Sequence, residues 1–283
     1  NANGTAPGMI FEDQAAPGKY AVLLPGPPKE LQPMFLNSVK PWLAAMSDSV
    51  LHSVTLRVTG VGESHLESRI GHLLENANPT AAVYAKTAEV VIRITAKAAS
   101  EDEARMCLDY AKHFYDILGD CVYAMDADSL EEVVVKELAA RGLTVATAES
   151  CTGGLLAQRI TDIPGASAHF LGGVVTYTED AKVRLLDMDE DLIAENGVVS
   201  MPVAAKMAKR VRKALGSDIG IGITGWAGPD GDDVGLVFVA LASRSGCFVR
   251  RLQCGHAPRP RIRLIAASNA LDMIRRYLTG LDV

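Results

Sequence analysis

A serine lies where an apolar run gives way to a polar turn that ends in two glycines. It is Ser150, in the segment LTVATAESCTGG over residues 143–154, and a helical pattern begins directly afterwards at Leu155. This pattern predicts a strand, a loop and a helix. A strand end can hold a side chain rigidly, and unpaired amides in a helix's first turn can receive an anion or a developing oxyanion. Ser150 is therefore a candidate nucleophile, the alternative being that residues 149–152 only cap the helix.

A tyrosine and a lysine in the next predicted elements could activate this hydroxyl. Tyr177 ends the predicted strand FLGGVVTY, and Lys182 falls near the first turn of the helix that follows. A serine hydroxyl is a poor nucleophile at neutral pH, and a lysine serves as its base only when burial or a nearby cation lowers the lysine pKa. We interpret Lys182 as the base and Tyr177 as a proton relay or ammonium partner, with the amides of Gly153 and Gly154 facing the oxyanion. Taken alone, either side chain would be interpreted as an ordinary surface residue.

Cys151 competes for the role of nucleophile because a helix N-terminus lowers the pKa of a thiol. Its histidine partner would have to be His169 or His256, and the pattern places neither of them beside the turn. We therefore interpret Cys151 as a small packed residue. A different class of function remains open at this point. The glycine turn could bind a phosphate without chemistry, which would make the domain a nucleotide-binding regulatory module.

A third loop of the same domain is predicted at the end of the strand DIGIGITG. Its residues include Thr224, Gly225, Ala227 and Gly228. Ligand sites in α/β sheets lie at strand ends, so three loops at such ends favour one common site. The strands alternate with amphipathic helices at first, and two adjacent strands follow. This order predicts a mixed, mainly parallel sheet with helices on both faces, over residues 127–283.

Two segments with other patterns precede this domain. Residues 51–126 follow the order strand, helix, strand, strand, helix, which predicts a small α+β domain whose last helix begins at a capping box of Ser100 and Glu103. Residues 1–50 contain a short strand, a proline-rich turn and an amphipathic segment over residues 30–46. The chain opens without an initiating Met in a glycine-containing loop. We expect this first segment to be the remnant of a truncated α/β domain.

Composition limits the classes of function. The 283 residues are 48% hydrophobic and 5% aromatic, which suits aliphatic cores in two or more domains. A formal charge of −6 does not favour general attraction to nucleic acid. The five Cys form no CxxC pair, and the sequence has neither a signal peptide nor an apolar run of membrane-spanning length. We expect a cytoplasmic protein without a zinc site or membrane contact.

The motifs AESCTGG, GGVVTYTEDAK and ITGWAGPDG, then VGLVFVAL and the helix start at Arg259, resemble in this order the C-terminal domain of the CinA (competence/damage-inducible) family. The stretches GTAPG and LPGPPKELQPMF resemble the end of that family's molybdopterin-binding-like first domain. Residues 51–126 look like its KH-type middle domain. Gly60-Val61-Gly62 stands where nucleic-acid-binding KH modules carry G-x-x-G, so we expect no nucleic-acid binding.

The resemblance implies an activity and the residues for it. Stand-alone relatives of the C-terminal domain are nicotinamide-nucleotide amidohydrolases, which hydrolyse the carboxamide of nicotinamide mononucleotide to nicotinate mononucleotide and ammonia. The resemblance assigns the role of nucleophile to Ser150 and matches the family's lysine to Lys182 and its tyrosine to Tyr177. It implies no metal and no cofactor. The substrate phosphate would suit the helix N-terminus near Thr152 and a bidentate guanidinium, with the candidates Arg259 and, one helical turn further, Arg263.

Two features depart from the family pattern. Glu179 stands where the family usually has Asn, and its carboxylate would raise the pKa of Lys182, the wrong direction for a base. The loop between Pro229 and Gly235 is also shorter than the common form. The expected partners are a small-molecule nucleotide substrate and a second copy of the chain in a homodimer, with no nucleic acid and no membrane.

Overall fold

The structure is a computed structural model that describes residues 1–127, 129–228 and 232–283. These residues form two compact units. The first comprises Asn1–His52 and Lys97–Arg105, and the second comprises Ser53–Ala96 and Met106–Val283.

The first unit contains a hairpin and a helical segment. Strands β1 (Met9–Glu12) and β2 (Tyr20–Leu23) pair antiparallel, and the Tyr20 ring contacts the Trp42 ring edge-on at 5.0 Å between centroids. The helix expected over residues 30–46 is divided into three consecutive parts: α1 (Pro28–Met34), a π-helical turn (Phe35–Val39) and α2 (Lys40–Ala44). It begins earlier than predicted because the fixed φ of proline suits a first helical position.

The first unit also holds the short helix α4 (Glu101–Ala104). The Ser100 hydroxyl accepts a hydrogen bond from the Glu103 amide at 3.2 Å, and the Glu103 carboxylate accepts one from the Ala99 amide at 2.9 Å. The predicted helix start at Ser100 is therefore confirmed. The helix does not run on without a break, since α5 (Met106–Leu118) begins separately after Arg105.

A four-stranded antiparallel sheet forms the earlier part of the second unit. Its strand order is β4-β5-β3-β6, with α3 and α5 supplying the apolar side chains that close its core. The bounds are β3 (Val50–Val58), α3 (Glu63–Leu74), β4 (Thr80–Lys86), β5 (Glu89–Ala98) and β6 (Val122–Met125). Strand β6 is a finding that the sequence pattern missed, because four residues are too few to show a periodicity.

A five-stranded sheet forms the later part of the unit, in the order β11-β10-β9-β7-β8. Strand β7 pairs parallel with β8 and β9, whereas β10 pairs antiparallel with β9 and β11. Four of the five strands therefore run in one direction, as a mixed, mainly parallel sheet requires. The bounds are β7 (Val145–Glu149), β8 (Phe170–Val175), β9 (Ile219–Gly225), β10 (Leu236–Ala242) and β11 (Cys247–Gln253).

Helices cover both faces of this sheet. On one face, α6 (Leu130–Arg141), α7 (Leu155–Thr161) and α11 (Arg259–Thr279) pack around a core that includes Ile221 and Val239. On the other face lie α8 (Glu179–Leu186) and α10 (Met201–Leu215). A short helix, α9 (Glu190–Asn196), precedes α10 and was not predicted.

Two glycines of β9 allow α10 to approach the sheet closely. A Cβ atom at Gly220 would lie 2.2 Å from the Ala208 carbonyl oxygen, and one at Gly222 would lie 2.3 Å from that of Ala204. The alternation of glycine and isoleucine in DIGIGITG therefore serves both faces: the glycines admit α10, while the isoleucines fill the core under α11.

Among the helices of the described residues, none combines the length and the apolar character needed to cross a membrane. Within the same residues, no group of three or more His, Cys, Asp or Glu side chains is arranged to hold a metal ion.

Candidate active site

The hydroxyl of Ser150 and the amine of Lys182 meet at the carboxyl ends of β7 and β8. Lys182 Nζ donates to Ser150 Oγ at 3.2 Å and to the Thr176 carbonyl oxygen at 2.9 Å. The Lys182 side chain is fully buried, and Ser150 is 8% exposed. The Thr178 hydroxyl caps α8 by accepting from the Ala181 amide at 3.1 Å, which fixes the helix turn that carries the lysine.

Burial has a strong effect on the charge of Lys182. Desolvation lowers its pKa from 10.5 to about 8, against the opposing effects of Cys151 and of the Glu179 carboxylate, both of which raise it. Glu179 therefore raises the pKa of Lys182 as expected, but the opposite effect of burial on this pKa is larger. A substantial fraction of Lys182 is neutral near pH 8, so this amine can accept a proton from Ser150.

Cys151 lies beside these groups as a buried thiol, only 4% exposed. Burial raises its pKa to about 12, so the thiolate form is scarce at neutral pH. His169 is not available as its partner, since its Nδ1 lies 3.0 Å from the Leu143 carbonyl oxygen, before the start of β7 and so at the opposite end of that strand. The geometry therefore favours the hydroxyl over the thiol.

A cavity of about 240 Å³ opens over the serine and the lysine. The three expected loops therefore converge at one place. Beside the serine and the lysine, the expected residues that line the cavity are Tyr177, Thr224, Gly225, Ala227, Gly228 and Arg259. Tyr177 is 54% exposed, and its hydroxyl accepts a 2.5 Å hydrogen bond from Arg259 Nη2. Sequence reasoning missed three further lining residues, Val198, Val199 and Trp226, because nothing in their pattern distinguishes them from core or loop positions.

The N-terminus of α7 is not open to a ligand, which corrects an expectation. The carboxylate of Glu149, only 1% exposed, accepts hydrogen bonds from the amides of Gly154 at 3.1 Å, Leu156 at 3.1 Å and Ala157 at 2.8 Å. The Gly153 amide donates to the Ser150 carbonyl oxygen at 3.0 Å. The amides of Gly153 and Gly154 are thus already bonded and do not face an oxyanion, and a buried carboxylate already occupies the place expected for the substrate phosphate.

Thr152 and Arg263 support the loop instead of lining the cavity. Arg263 donates from Nη2 at 2.6 Å and from Nε at 3.2 Å to the carbonyl oxygen of Thr152. The Thr152 side chain is fully buried, and its hydroxyl has no hydrogen-bond partner among the described residues. Arg259 is therefore the candidate guanidinium that reaches the cavity. The loop that begins at Pro229 lies outside the described residues as far as residue 231.

Together these groups form an arrangement suited to acyl transfer. A hydroxyl touches a buried amine of lowered pKa, and an open cavity gives a substrate access to both. The guanidinium of Arg259 at this cavity suits an anionic group on the substrate.

Two protein-family models match this chain. The family described as "CinA C-terminal domain" matches residues 127–278, and "Damage-inducible protein CinA KH domain" matches residues 53–124. A "CinA-like protein" of Desulfovibrio desulfuricans is 46% identical over 293 residues, covering 100% of this chain and 68% of its own length. A "CinA-like protein" of Dictyoglomus turgidum is 42% identical over 284 residues, covering 98% of this chain and 68% of its own.

Solved structures resemble about half of the chain. The competence/damage inducible protein CihA from Agrobacterium tumefaciens is 36% identical with a TM-score of 0.51, covering 53% of this chain and 95% of its own. A CinA superfamily protein from Klebsiella pneumoniae is 30% identical with a TM-score of 0.51, covering 53% and 96%. The family matches and the full-length identity lead to one conclusion: this chain belongs to the CinA family.

Proposed function

We propose that the chain hydrolyses the carboxamide of nicotinamide mononucleotide to nicotinate mononucleotide and ammonia. The observation that carries this proposal is the 3.2 Å contact between Ser150 Oγ and the buried amine of Lys182. A base of lowered pKa in contact with a hydroxyl is the arrangement that makes serine a nucleophile near neutral pH. The amide is the substrate class that the family resemblance implies for these residues.

The first step is attack of the Ser150 oxygen on the carboxamide carbon. A C–O bond forms, the carbonyl π pair moves to oxygen, and the hydroxyl proton passes to the neutral Lys182 amine. The ammonium then returns a proton to the amide nitrogen as the C–N bond breaks and ammonia leaves. Water hydrolyses the resulting ester with Lys182 as base, which releases nicotinate mononucleotide and restores the serine.

The oxyanion needs donors other than the first turn of α7, since Glu149 and the loop itself use those amides. Ala227 and Gly228 line the same cavity, and we assign their amides this role. Trp226 lines the cavity as well, and an aromatic ring there would favour the positively charged pyridinium ring of the substrate. Arg259 also lines the cavity, and its guanidinium would bind the substrate phosphate instead of the Tyr177 hydroxyl.

The nucleophile is tested by ammonia release from nicotinamide mononucleotide. Ser150→Ala and Lys182→Met should each lose at least about a thousandfold in kcat, and the double variant should lose little more, because groups that act as one unit are not additive. Cys151→Ala, the matched change at the next residue, should keep most of the activity. Binding of the nucleotide without ammonia release by the wild-type chain would favour the regulatory module instead. Loss of activity in Cys151→Ala with retention in Ser150→Ala would assign the nucleophile to the thiol.

A further inference from the structure

A groove runs between the four-stranded and five-stranded parts of the second unit. It consists of two cavities, of about 430 and 290 Å³, and both are lined by Thr59, Lys86, Ala88 and Glu89. Because they share these four lining residues, the cavities are adjacent, and together they are here called the interdomain groove. None of its lining residues lines the serine cavity.

One end of the interdomain groove is apolar. The larger cavity is lined by Leu130, Leu155 and Leu264, which come from α6, α7 and α11. Binding sites for small organic molecules have mostly apolar walls with a few polar groups that orient the ligand. This end therefore suits a flat ring system.

Both carboxylates that line the larger cavity are neutralised by arginines. Glu89 accepts from Arg57 Nη1 at 2.9 Å and from the Tyr123 hydroxyl at 2.6 Å. Glu131 forms an ion pair with Arg159, whose Nη1 also donates to the Ser268 hydroxyl at 2.8 Å. These carboxylates therefore do not repel an anion that enters the groove.

The other end, the smaller cavity, carries two cations that lack such compensation, and one of them, Lys86, lines the larger cavity as well. Lys86 and Arg261 line the smaller cavity, and neither forms an ion pair within the part of the chain that the structure describes. Beside them, Gly60 and Gly62 present backbone with open space where a Cβ would project. In a chain of net charge −6, this end is a local site for an anionic group.

We propose that the interdomain groove binds a nucleoside phosphate, with the base among the leucines and the phosphate between Lys86 and Arg261. The groove touches the elements that build the serine site. Leu155 is the first residue of α7, directly after the Ser150 loop, and Arg261 lies on α11 between Arg259 and Arg263. A ligand in the groove thus acts on turnover through α7 and α11. This second part of the proposal, regulation of turnover, rests on the proposed function.

Binding is tested with AMP as the probe, by calorimetry on the whole chain. The wild type should bind AMP, and inorganic phosphate should bind at least about tenfold more weakly because it lacks the base. Lys86→Ala combined with Arg261→Ala should weaken AMP binding at least about tenfold. A matched control is Lys209→Ala with Lys213→Ala, which removes the same charge from the exposed side of α10 and should leave AMP binding unchanged.

Three results would overturn the site. The first is no AMP binding by the wild type, and the second is equal affinity for AMP and phosphate. The third is AMP binding that survives the Lys86 and Arg261 changes but is lost in Arg259→Ala, because that result would place the nucleotide in the serine cavity. Regulation is tested separately: AMP should change the KM for nicotinamide mononucleotide in the wild type and not in the double variant. An unchanged KM despite AMP binding refutes the regulatory part. Absence of turnover in every protein refutes the proposed function while the binding result still stands.

Discussion

Two opposing effects set the pKa of Lys182. Burial disfavours the charged form of its amine and lowers the pKa, whereas two neighbours, Cys151 and Glu179, favour the charged form and raise it. With a pKa of about 8, roughly a tenth of this amine is neutral at pH 7. If the neutral amine is the base, kcat/KM should rise about tenfold per pH unit below the pKa and level off above it. The profile is measured with the wild-type chain between pH 5.5 and about 9.5.

The carboxylate of Glu179 allows this profile to be moved. It raises the pKa of Lys182, so Glu179→Gln should shift the midpoint to lower pH and increase kcat/KM at pH 6. Asp180→Asn is the matched control, because this neighbouring carboxylate is exposed and pairs with Arg184. A midpoint that stays in place in Glu179→Gln, or moves equally in Asp180→Asn, would contradict the assignment of Lys182 as the titrating base.

The same burial should cost stability. The folded pKa of Lys182 lies below its unfolded value of 10.5, so below about pH 8 the proton on this amine favours the unfolded chain, and the cost disappears as the pH rises from about 8 to 10.5. Lys182→Met keeps the volume and removes the charge. At pH 7 it should raise the free energy of unfolding by about 1–3 kcal/mol while abolishing turnover. Urea unfolding measures the difference, and a clear loss of stability would indicate a structural lysine instead.

At the scale of elements, the strand–loop–helix around Ser150 is fixed from two sides. Glu149 accepts three amides of α7, and Arg263 donates twice to the Thr152 carbonyl oxygen. Both act on the serine through the backbone and neither lines the cavity. They are therefore positioning residues, and their loss should affect kcat more than KM.

Glu149→Gln tests this role because it keeps the shape but replaces one accepting oxygen by a donor. Three buried amides then share one acceptor, which should cost about 1–3 kcal/mol in the free energy of unfolding. We expect kcat to fall at least about tenfold with KM within about twofold, since the serine moves and the rest of the cavity lining does not. Glu137→Gln on α6 is a control change at a more exposed glutamate. An increase in KM at unchanged kcat would show that Glu149 acts on substrate binding.

The sequence predicted most of the elements, and the candidates Ser150 and Lys182, because these depend on local signals. Apolar runs give the strands, and Thr178 marks the start of the helix that carries the lysine. Glu149 was missed as the ligand of the helix amides because its partners, five to eight residues away, come within reach only once the turn is folded. The contact between Arg263 and Thr152 spans 111 residues, and no periodicity reports it. The free helix terminus expected for the substrate phosphate was therefore wrong.

At the scale of the whole second unit, α11 joins its two sheets. Its first turn carries Arg259 at the serine cavity, and its last turns carry Arg275, which donates from Nη2 to the Asp120 carbonyl oxygen at 3.0 Å, shortly before β6. Arg275 also pairs with Asp272 at 2.7 Å, and Asp272 accepts from Arg250 at 3.0 Å. Both members of the Arg275–Asp272 pair are buried, with Arg275 only 4% exposed. A single helix thus links the four-stranded sheet to the candidate active site.

Arg275→Met should show how strongly this link holds. Removing one member of a buried ion pair leaves the Asp272 carboxylate partly unpaired, so the free energy of unfolding should fall by about 3 kcal/mol. Arg276→Met, at the next and more exposed residue, should cost less than about 1 kcal/mol, since its pairing with Asp120 is at 3.6 Å and half-exposed.

Hydrogen exchange then locates the effect. Because Arg275 bonds directly to the Asp120 carbonyl oxygen, amides of β6 should exchange faster in Arg275→Met, whereas those of β9 should change little. Equal acceleration in both strands would mean that Arg275 supports the unit as a whole, and unchanged exchange in β6 would show that this bond does not hold the strand.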